Sequence, residues 1–281
     1  MNGGQERRLR DTGRMTRSLV LTADDAGTDP DADREIAALL AGSPLTAVGV
    51  IAVPDRDGGS DLPGVERIAG LLARTAPGVA PGVHVALPEP EPAGGLDDVA
   101  DRITAQADAV AHAAAAAGLP APDRLDSHKG TLYGLHGRSY LPEAIGVCAR
   151  RGLAFRLPRG LELYGDGDPL LSSPAVRERH AAAVAAADAA GVRLPRAIAT
   201  HRGGDAGAGD YVALRDHYLR LLGRLPEGTS EIFLHPAPET ERLRAAAPGW
   251  WRARTWELRL LGDPVFAREI DRQGIGLVAR W

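Results

Sequence analysis

Two adjacent carboxylates, Asp24 and Asp25, stand at the end of the apolar run Ser18-Leu19-Val20-Leu21-Thr22-Ala23 and just before Ala26-Gly27. Carboxylates are expensive to leave unpaired where a buried strand surfaces, so such a pair typically binds a metal ion or moves protons. The competing reading is an N-cap for the following helix, a common role for Asp at a strand end. The histidines shift the balance. His84 lies in Gly82-Val83-His84-Val85, His128 ends Arg124-Leu125-Asp126-Ser127-His128, His201 follows Ala197 to Thr200, and His235 ends Ser230 to Leu234. A carboxylate with two or three imidazoles suits Zn2+ or a similar divalent ion with positions open to water and substrate.

Other chemistries are poorly represented. There is no Cys-x-x-Cys, no His-Glu-x-x-His and no Gly-x-Ser-x-Gly, which excludes a thiolate site, a zincin and a nucleophile elbow. The single cysteine, Cys148, lies in a helix-like stretch and reads as buried packing. The glycine-rich segment Arg202 to Gly209 lacks the Lys-Ser/Thr that completes a phosphate loop. Gly165-Asp166-Gly167-Asp168 lacks the distal Glu of a Ca2+ loop and reads as a turn.

The elements that must position these residues follow from periodicity. Strands are expected at the opening run, Leu45 to Val53, Gly82 to Leu87, Arg124 to His128, Leu153 to Leu157, Ala197 to Thr200, Ser230 to Leu234 and Ile275 to Ala279. Helices are expected at Asp31 to Leu40, Gly64 to Arg74, Leu96 to Ala117, Leu141 to Arg151, Pro174 to Ala190, Tyr211 to Leu222, Trp250 to Leu261 and Pro264 to Gln273. A loop is expected over Pro54 to Pro63, and another carries Pro88, Pro90 and Pro92. Steady β-α alternation implies a parallel sheet with helices outside, and about eight strands favour a (β/α) barrel over an open sheet. Asp24, Asp25, His84, His128, His201 and His235 then sit on the rim where barrel active sites form. His112, His180 and His217 fall on helices and His136 on a loop, where histidines without special roles belong.

Bulk properties narrow the class. The 281 residues are 44% hydrophobic, carry a formal net charge of −4 and contain no basic run. That disfavours nucleic acid as a partner. No apolar stretch approaches the ~20 residues needed to span a bilayer. Residues 1–17 are polar and Arg-rich without an apolar core, and read as a disordered leader before a single domain over 18–281; Met15 is an alternative start. A lone cysteine fits a reducing, cytoplasmic compartment. A homodimer is left open.

Taken together the motifs resemble the YdjC-like carbohydrate deacetylases. Thr22-Ala23-Asp24-Asp25-Ala26-Gly27 resembles that family's opening, Gly82-Val83-His84-Val85 its short His-bearing strand, and Leu125-Asp126-Ser127-His128 the start of its Asp-Ser-His motif. Phe155-Arg156-Leu157-Pro158 resembles its Arg-bearing fifth strand, Glu231 to Pro236 its His-Pro segment, and Trp256-Glu257-Leu258 through Ile275 its closing helix and strand. The resemblance implies a distorted TIM-like (β/α) barrel of seven to eight parallel strands. It implies one divalent metal ion, Zn2+ first and Mg2+ second, on Asp25, His84 and His128. Asp24 would be the general base and His235 the proton donor in hydrolysis of an N-acetyl group from a sugar or aminosugar-containing small molecule. The sequence departs from the family at Ala26, at Gly130 and Leu132 where further histidines stand in relatives, and at Ala237.

Arg156 either steadies substrate or pairs with Asp24. Tyr133 and His201 are further candidates for substrate contact, with loop packing the alternative for His201. Aromatic residues make up only 4% of the chain, which favours a small sugar over a polymer; Tyr133, Tyr140, Trp250 and Trp251 are the few stacking candidates, with core packing the default for each Trp. Rival readings are another metal-dependent hydrolase, either a phosphoesterase or a different amidase, and a ligand-binding relative without turnover.

Overall fold

A computed structural model describes residues 17–52, 62–88, 96–135, 137–164 and 173–281. The expected leader up to Thr16, Val53 and most of the loop after it, Pro90, Pro92, His136 and the Gly165 to Asp168 turn lie outside the described residues, while Arg17, expected in the leader, opens the first strand. The opening run forms β1 (Arg17–Ala26), buried from Leu19 to Ala26 on both faces. Burial of both faces is the condition of a parallel strand covered by helices, and explains why the run is continuous rather than alternating.

The remaining strands are β2 (Ala47–Val50), β3 (Pro81–Val85), β4 (Arg124–Ser127), β5 (Ala154–Phe155), β6 (Ile198–Ala199), β7 (Gly228–Leu234) and β8 (Gly276–Leu277). All pair in parallel, in the order β5-β4-β3-β2-β1-β7-β6, and the sheet curls into a distorted TIM-like barrel of a single domain. Between β5 and β6 the regular ladder is interrupted. There the N–H groups of Phe155, Arg159 and Gly160 donate to the carbonyls of Arg193, Pro195 and Arg196, each at 2.9 Å. β8 pairs with Ser18 and Leu19 at the start of β1, whereas β2 pairs from Thr22 onward, so β1 is forked between them.

The helices are α1 (Pro30–Gly42), α2 (Pro63–Thr75), α3 (Val99–Ala116), α4 (Leu141–Arg151), α5 (Pro174–Ala189), α6 (Gly204–Ala208), α7 (Tyr211–Arg224), α8 (Glu241–Ala246), α9 (Trp251–Leu261) and α10 (Pro264–Arg272). Asp29 caps α1, accepting from the Asp31 N–H, so neither Asp24 nor Asp25 is the cap. Cys148 is buried in α4, and burial pushes its thiol up to about 12.

Several expected strands are shorter than their apolar runs. β2 stops at Val50, and β5, β6 and β8 span two residues each. The glycine-rich segment contains the short helix α6, and His128–Tyr133 forms a 3-10 turn; the sequence reading anticipated neither, nor α8. Among the described residues no helix is long and apolar enough to cross a membrane.

Candidate metal centre

Consecutive residues of a regular strand point to opposite faces. Asp24 and Asp25 escape this rule through a bulge: Ala23 pairs with Val48 and Ala26 with Val50, so two residues of β1 oppose Gly49 alone. Asp25 takes the left-handed conformation, φ 65°, which Asp tolerates better than bulkier residues. Both carboxylates then meet one imidazole, with His84 Nε2 3.3 Å from Asp25 Oδ1 and His84 Nδ1 3.9 Å from Asp24 Oδ2. Gly49 makes the room. A Cβ there would lie 2.8 Å from Asp24 Oδ1 and 3.3 Å from the His84 Cβ.

His84 and Asp126 are register partners on β3 and β4, and His84 Nδ1 bonds Asp126 Oδ1. That bond fixes the ring and turns Nε2 toward Asp25, the arrangement by which a carboxylate orients a metal-binding histidine. His128 begins the 3-10 turn, with Nδ1 2.9 Å from Asp25 Oδ1 and 3.3 Å from His84 Nε2. No N–H is aligned onto Asp25 Oδ1, a buried carboxylate oxygen without a hydrogen bond. A proton on an imidazole or a metal cation among these atoms would balance the carboxylate charge. The donor atoms of Asp25, His84 and His128 all lie within 4.8 Å of one another, and one oxygen with two nitrogens is a donor set that suits a divalent ion.

A second trio, Asp24, His84 and Asp126, is as compact, but its charges are already answered. Arg156 grips Asp24 with both terminal nitrogens, at 2.6 and 2.9 Å, in a bidentate pair. The same guanidinium reaches Asp126 Oδ2 at 3.1 Å and Glu231 at 2.8 and 2.9 Å, while Thr22 donates to Glu231 at 2.5 Å. On the other side Arg254 holds Asp25 Oδ2 at 2.8 Å. Four clustered carboxylates therefore face two guanidinium groups, and the remaining negative charge is met by a proton on His84 or would be met by a divalent cation.

The titration of these groups follows from the same contacts. Burial alone would raise the Asp25 carboxyl, but its short contacts to His128 and His84 and the charges of His235 and Arg254 hold it well below the usual range. For Asp24, burial is outweighed by the Arg156 charge, then by His84, and the net direction is also down. Burial would lower His84, yet the charges of Asp126 and Asp24 raise it well above ordinary imidazole. Glu231 moves upward because burial exceeds the help from Arg156 and Thr22.

The other expected site residues divide. His235 follows β7, half-buried, close enough for its charge to act on both Asp24 and Asp25. Its backbone N–H donates to Glu257 Oε2 at 2.6 Å. Arg156 is buried among its carboxylates, so pairing with Asp24 is the role its geometry fits. Tyr133 spends its hydroxyl on the Arg156 carbonyl at 2.6 Å and stacks on Phe155. His201 is buried outside the cluster, with Nε2 2.9 Å from the Gly204 carbonyl. Tyr140 is wholly buried and offers no stacking face, whereas Trp250 is 43% exposed rather than packed in the core.

Asp126, Glu231, Arg254, Glu257 and Gly49 had no role assigned from sequence. For Asp126 and Glu231 a signal existed: each is a charge inside a strand otherwise read as buried. Arg254 and Glu257 lie three apart on α9, a spacing that on most helices marks a solvated ion pair.

A parallel (β/α) barrel with carboxylates and imidazoles converging at the C-terminal ends of β1, β3 and β4 defines a TIM-like protein with a candidate metal site at its mouth. Residues 18–272 match the model of the YdjC-like protein family, and the chain belongs to that family. Among solved structures it is similar to a proposed cellobiose-phosphate cleavage protein of Enterococcus faecalis V583. The two share 18% identity and a TM-score of 0.62, over 94% of this chain and 97% of that one. The fold is also similar to a truncated 3-deoxy-D-arabino-heptulosonate 7-phosphate synthase of Thermotoga maritima, at 10% identity and a TM-score of 0.54 over 95% and 91% of the two chains. An uncharacterized protein of Agrobacterium tumefaciens C58 follows at 11% identity and 0.52, over 95% and 89%. Among curated protein sequences none matches.

Proposed function

We propose that this protein is a metal-dependent hydrolase that removes the N-acetyl group from a small sugar or aminosugar-containing molecule. The observation that carries the reading is the convergence of Asp25, His84 and His128 around an oxygen without a hydrogen bond, with Asp126 orienting the His84 ring. Family membership and the sugar-related description of the Enterococcus faecalis relative support a carbohydrate as the substrate class.

Asp25, His84 and His128 would hold the ion, Zn2+ before Mg2+ given two imidazole donors. A divalent ion supplies Lewis acidity toward the amide carbonyl and lowers the pKa of water toward ~7. Asp24 accepts the proton of the attacking water, and its bidentate pair with Arg156 fixes the carboxylate in position to do so. His235 donates a proton to the departing amine, on a backbone anchored by Glu257. Arg254 occupies Asp25 Oδ2 and so leaves Oδ1 for the ion. The partner is thus a small molecule rather than nucleic acid or membrane, and the compartment the cytoplasm.

The test is acetate release from a panel of N-acetylated sugars, run beside metal analysis of the purified protein. The expected result is turnover that a chelator abolishes and added Zn2+ restores. Turnover undiminished after complete removal of divalent ions would overturn the reading.

A further inference from the structure

The chain leaves β1 through two left-handed residues close together, Asp25 at φ 65° and Gly27 at φ 93°. Glycine adopts that conformation readily, but for Asp25 it is the less stable choice, so the surrounding structure must hold it. Asp33, in the first turn of α1, supplies part of the hold. Its carboxylate is wholly buried; Oδ1 accepts the Gly27 N–H at 2.7 Å and Oδ2 accepts from Arg67 Nε at 2.8 Å. Arg67, on α2, also donates to the Gly27 carbonyl at 3.1 Å, so both polar backbone groups of Gly27 are gripped. Beside them Thr28 Oγ1 donates to the Asp25 carbonyl at 2.7 Å, and the Ile51 N–H to the Ala26 carbonyl at 2.9 Å.

The approach of α2 to this turn depends on Gly64, where a Cβ would lie 1.9 Å from the Gly27 carbonyl oxygen. Asp33 and Arg67 act on the backbone of the turn, not on the carboxylate–imidazole cluster itself. Burial pushes the Asp33 carboxyl up in spite of the Gly27 N–H and Arg67. A buried ionic group of this kind is a weak device for stability. Its geometry instead specifies the path of the chain between β1 and α1.

We propose that Asp33 and Arg67 are positioning residues, which clamp Gly27 by its N–H and its carbonyl and thereby preset the left-handed backbone of Asp25 that aims its carboxylate at His84 and His128. Presetting a ligand raises affinity because its ordering is complete before the ion arrives. The inference rests on the proposed reading of Asp25 as a metal ligand and deepens it: the centre is then built from α1 and α2 as well as from the strand ends.

Backbone nuclear magnetic resonance of the full metal-free chain, joined to calorimetric titration with Zn2+, tests it. Arg67→Gln and Asp33→Asn should each move the Asp25 and Gly27 signals and speed amide exchange at Gly27 by at least about tenfold. Each should also weaken Zn2+ binding about tenfold. The two substitutions combined should do no more than either alone, since both act through one turn. Arg151→Gln is the control for simple loss of an ion pair. It breaks the 2.7 Å contact with Asp108 between α4 and α3, at a side chain as exposed as Arg67, 29% against 30%, and should alter neither reading. Because Arg67 is half-buried, its variant is expected to fold even where Asp33→Asn does not. Unmoved Asp25 and Gly27 signals in Arg67→Gln would overturn the clamp. So would wild-type Zn2+ affinity in a variant whose signals have moved, or an equal effect of Arg151→Gln. A wild-type chain that takes up no Zn2+ sinks the metal reading alone, and the Asp25 and Gly27 signals then decide the clamp.

Discussion

The two ends of the barrel each bury an arginine, and they surround it differently. At the N-terminal end Arg124 reaches across the strand bottoms to the carbonyls of Val48 and Ala279, pairs with Asp123 and lies over the Trp281 ring. The crevice beside it leaves no room for a water molecule. At the C-terminal end Arg156 lies among Asp24, Asp126 and Glu231, with Asp25 next to them. One arginine meets mainly backbone dipoles and closes a plug; the other meets more negative charge than it can balance. Buried ionic groups are weak devices for stability. An imbalance at the end where barrel loops converge marks that end as the candidate functional site.

The sharpest way to break this comparison is to remove the ligands. Alanine at Asp25, His84 or His128 should abolish both the bound ion and turnover, measured by metal analysis and acetate release. Asp24→Ala should keep the ion and lower turnover by about 10²–10⁴-fold, the usual weight of a general base. Loss of metal in Asp24→Ala would merge the two roles assigned to the pair.

Next in size is the stability contrast between the arginines. Arg156→Ala leaves three buried carboxylates short of a partner and should cost about 3–5 kcal/mol in urea unfolding. Arg124→Ala should cost about 1–3 kcal/mol, because it strands mostly carbonyl groups, and should not touch metal affinity. Equal losses at the two ends would remove the asymmetry.

Asp126→Asn probes the support behind His84. Metal affinity should fall by about 10–100-fold, as when an outer-shell carboxylate is lost, with the fold retained by circular dichroism. Comparable in stability to the loss of Arg124, and informative about turnover, is a pair of glycines. Gly49→Ala pushes a methyl group at Asp24 and His84, and Gly82→Ala pushes one at Arg124 and the Val48 carbonyl. Each should cost about 1–3 kcal/mol through overpacking, yet only Gly49→Ala should depress turnover.

Much of the mouth was legible in the sequence because its residues end apolar runs: Asp24 and Asp25 after Leu19 to Ala23, His84 within Val83 to Val85, His235 after Ile232 to Leu234. Their placement on strands needed only periodicity, and the alternation of elements implied the parallel barrel. What remained hidden depends on contacts distant along the chain. The bulge that turns Asp24 and Asp25 to one side arises from pairing with Val48 and Val50, and no local pattern announces it. Arg254 and Glu257 belong to the site only because α9 packs beside the mouth. The brevity of β5, β6 and β8 is likewise a property of sheet closure, where backbone bonds outside the ladder replace regular pairing. Trp250 shows the opposite failure, since large apolar residues default to the core and this one does not.

The pairing of β1 also sets a timetable for biosynthesis. β2 follows this strand closely, but β7, which covers its other edge from Arg17 to Ala23, comes about 200 residues later. At about 5–20 residues per second, one edge of the most buried strand waits roughly 10–40 s for its partners. An unpaired apolar edge of this kind invites pairing with other chains. The nascent protein should thus depend on chaperone protection until its final turns have left the exit tunnel, and chains truncated before Gly228 should accumulate as aggregates.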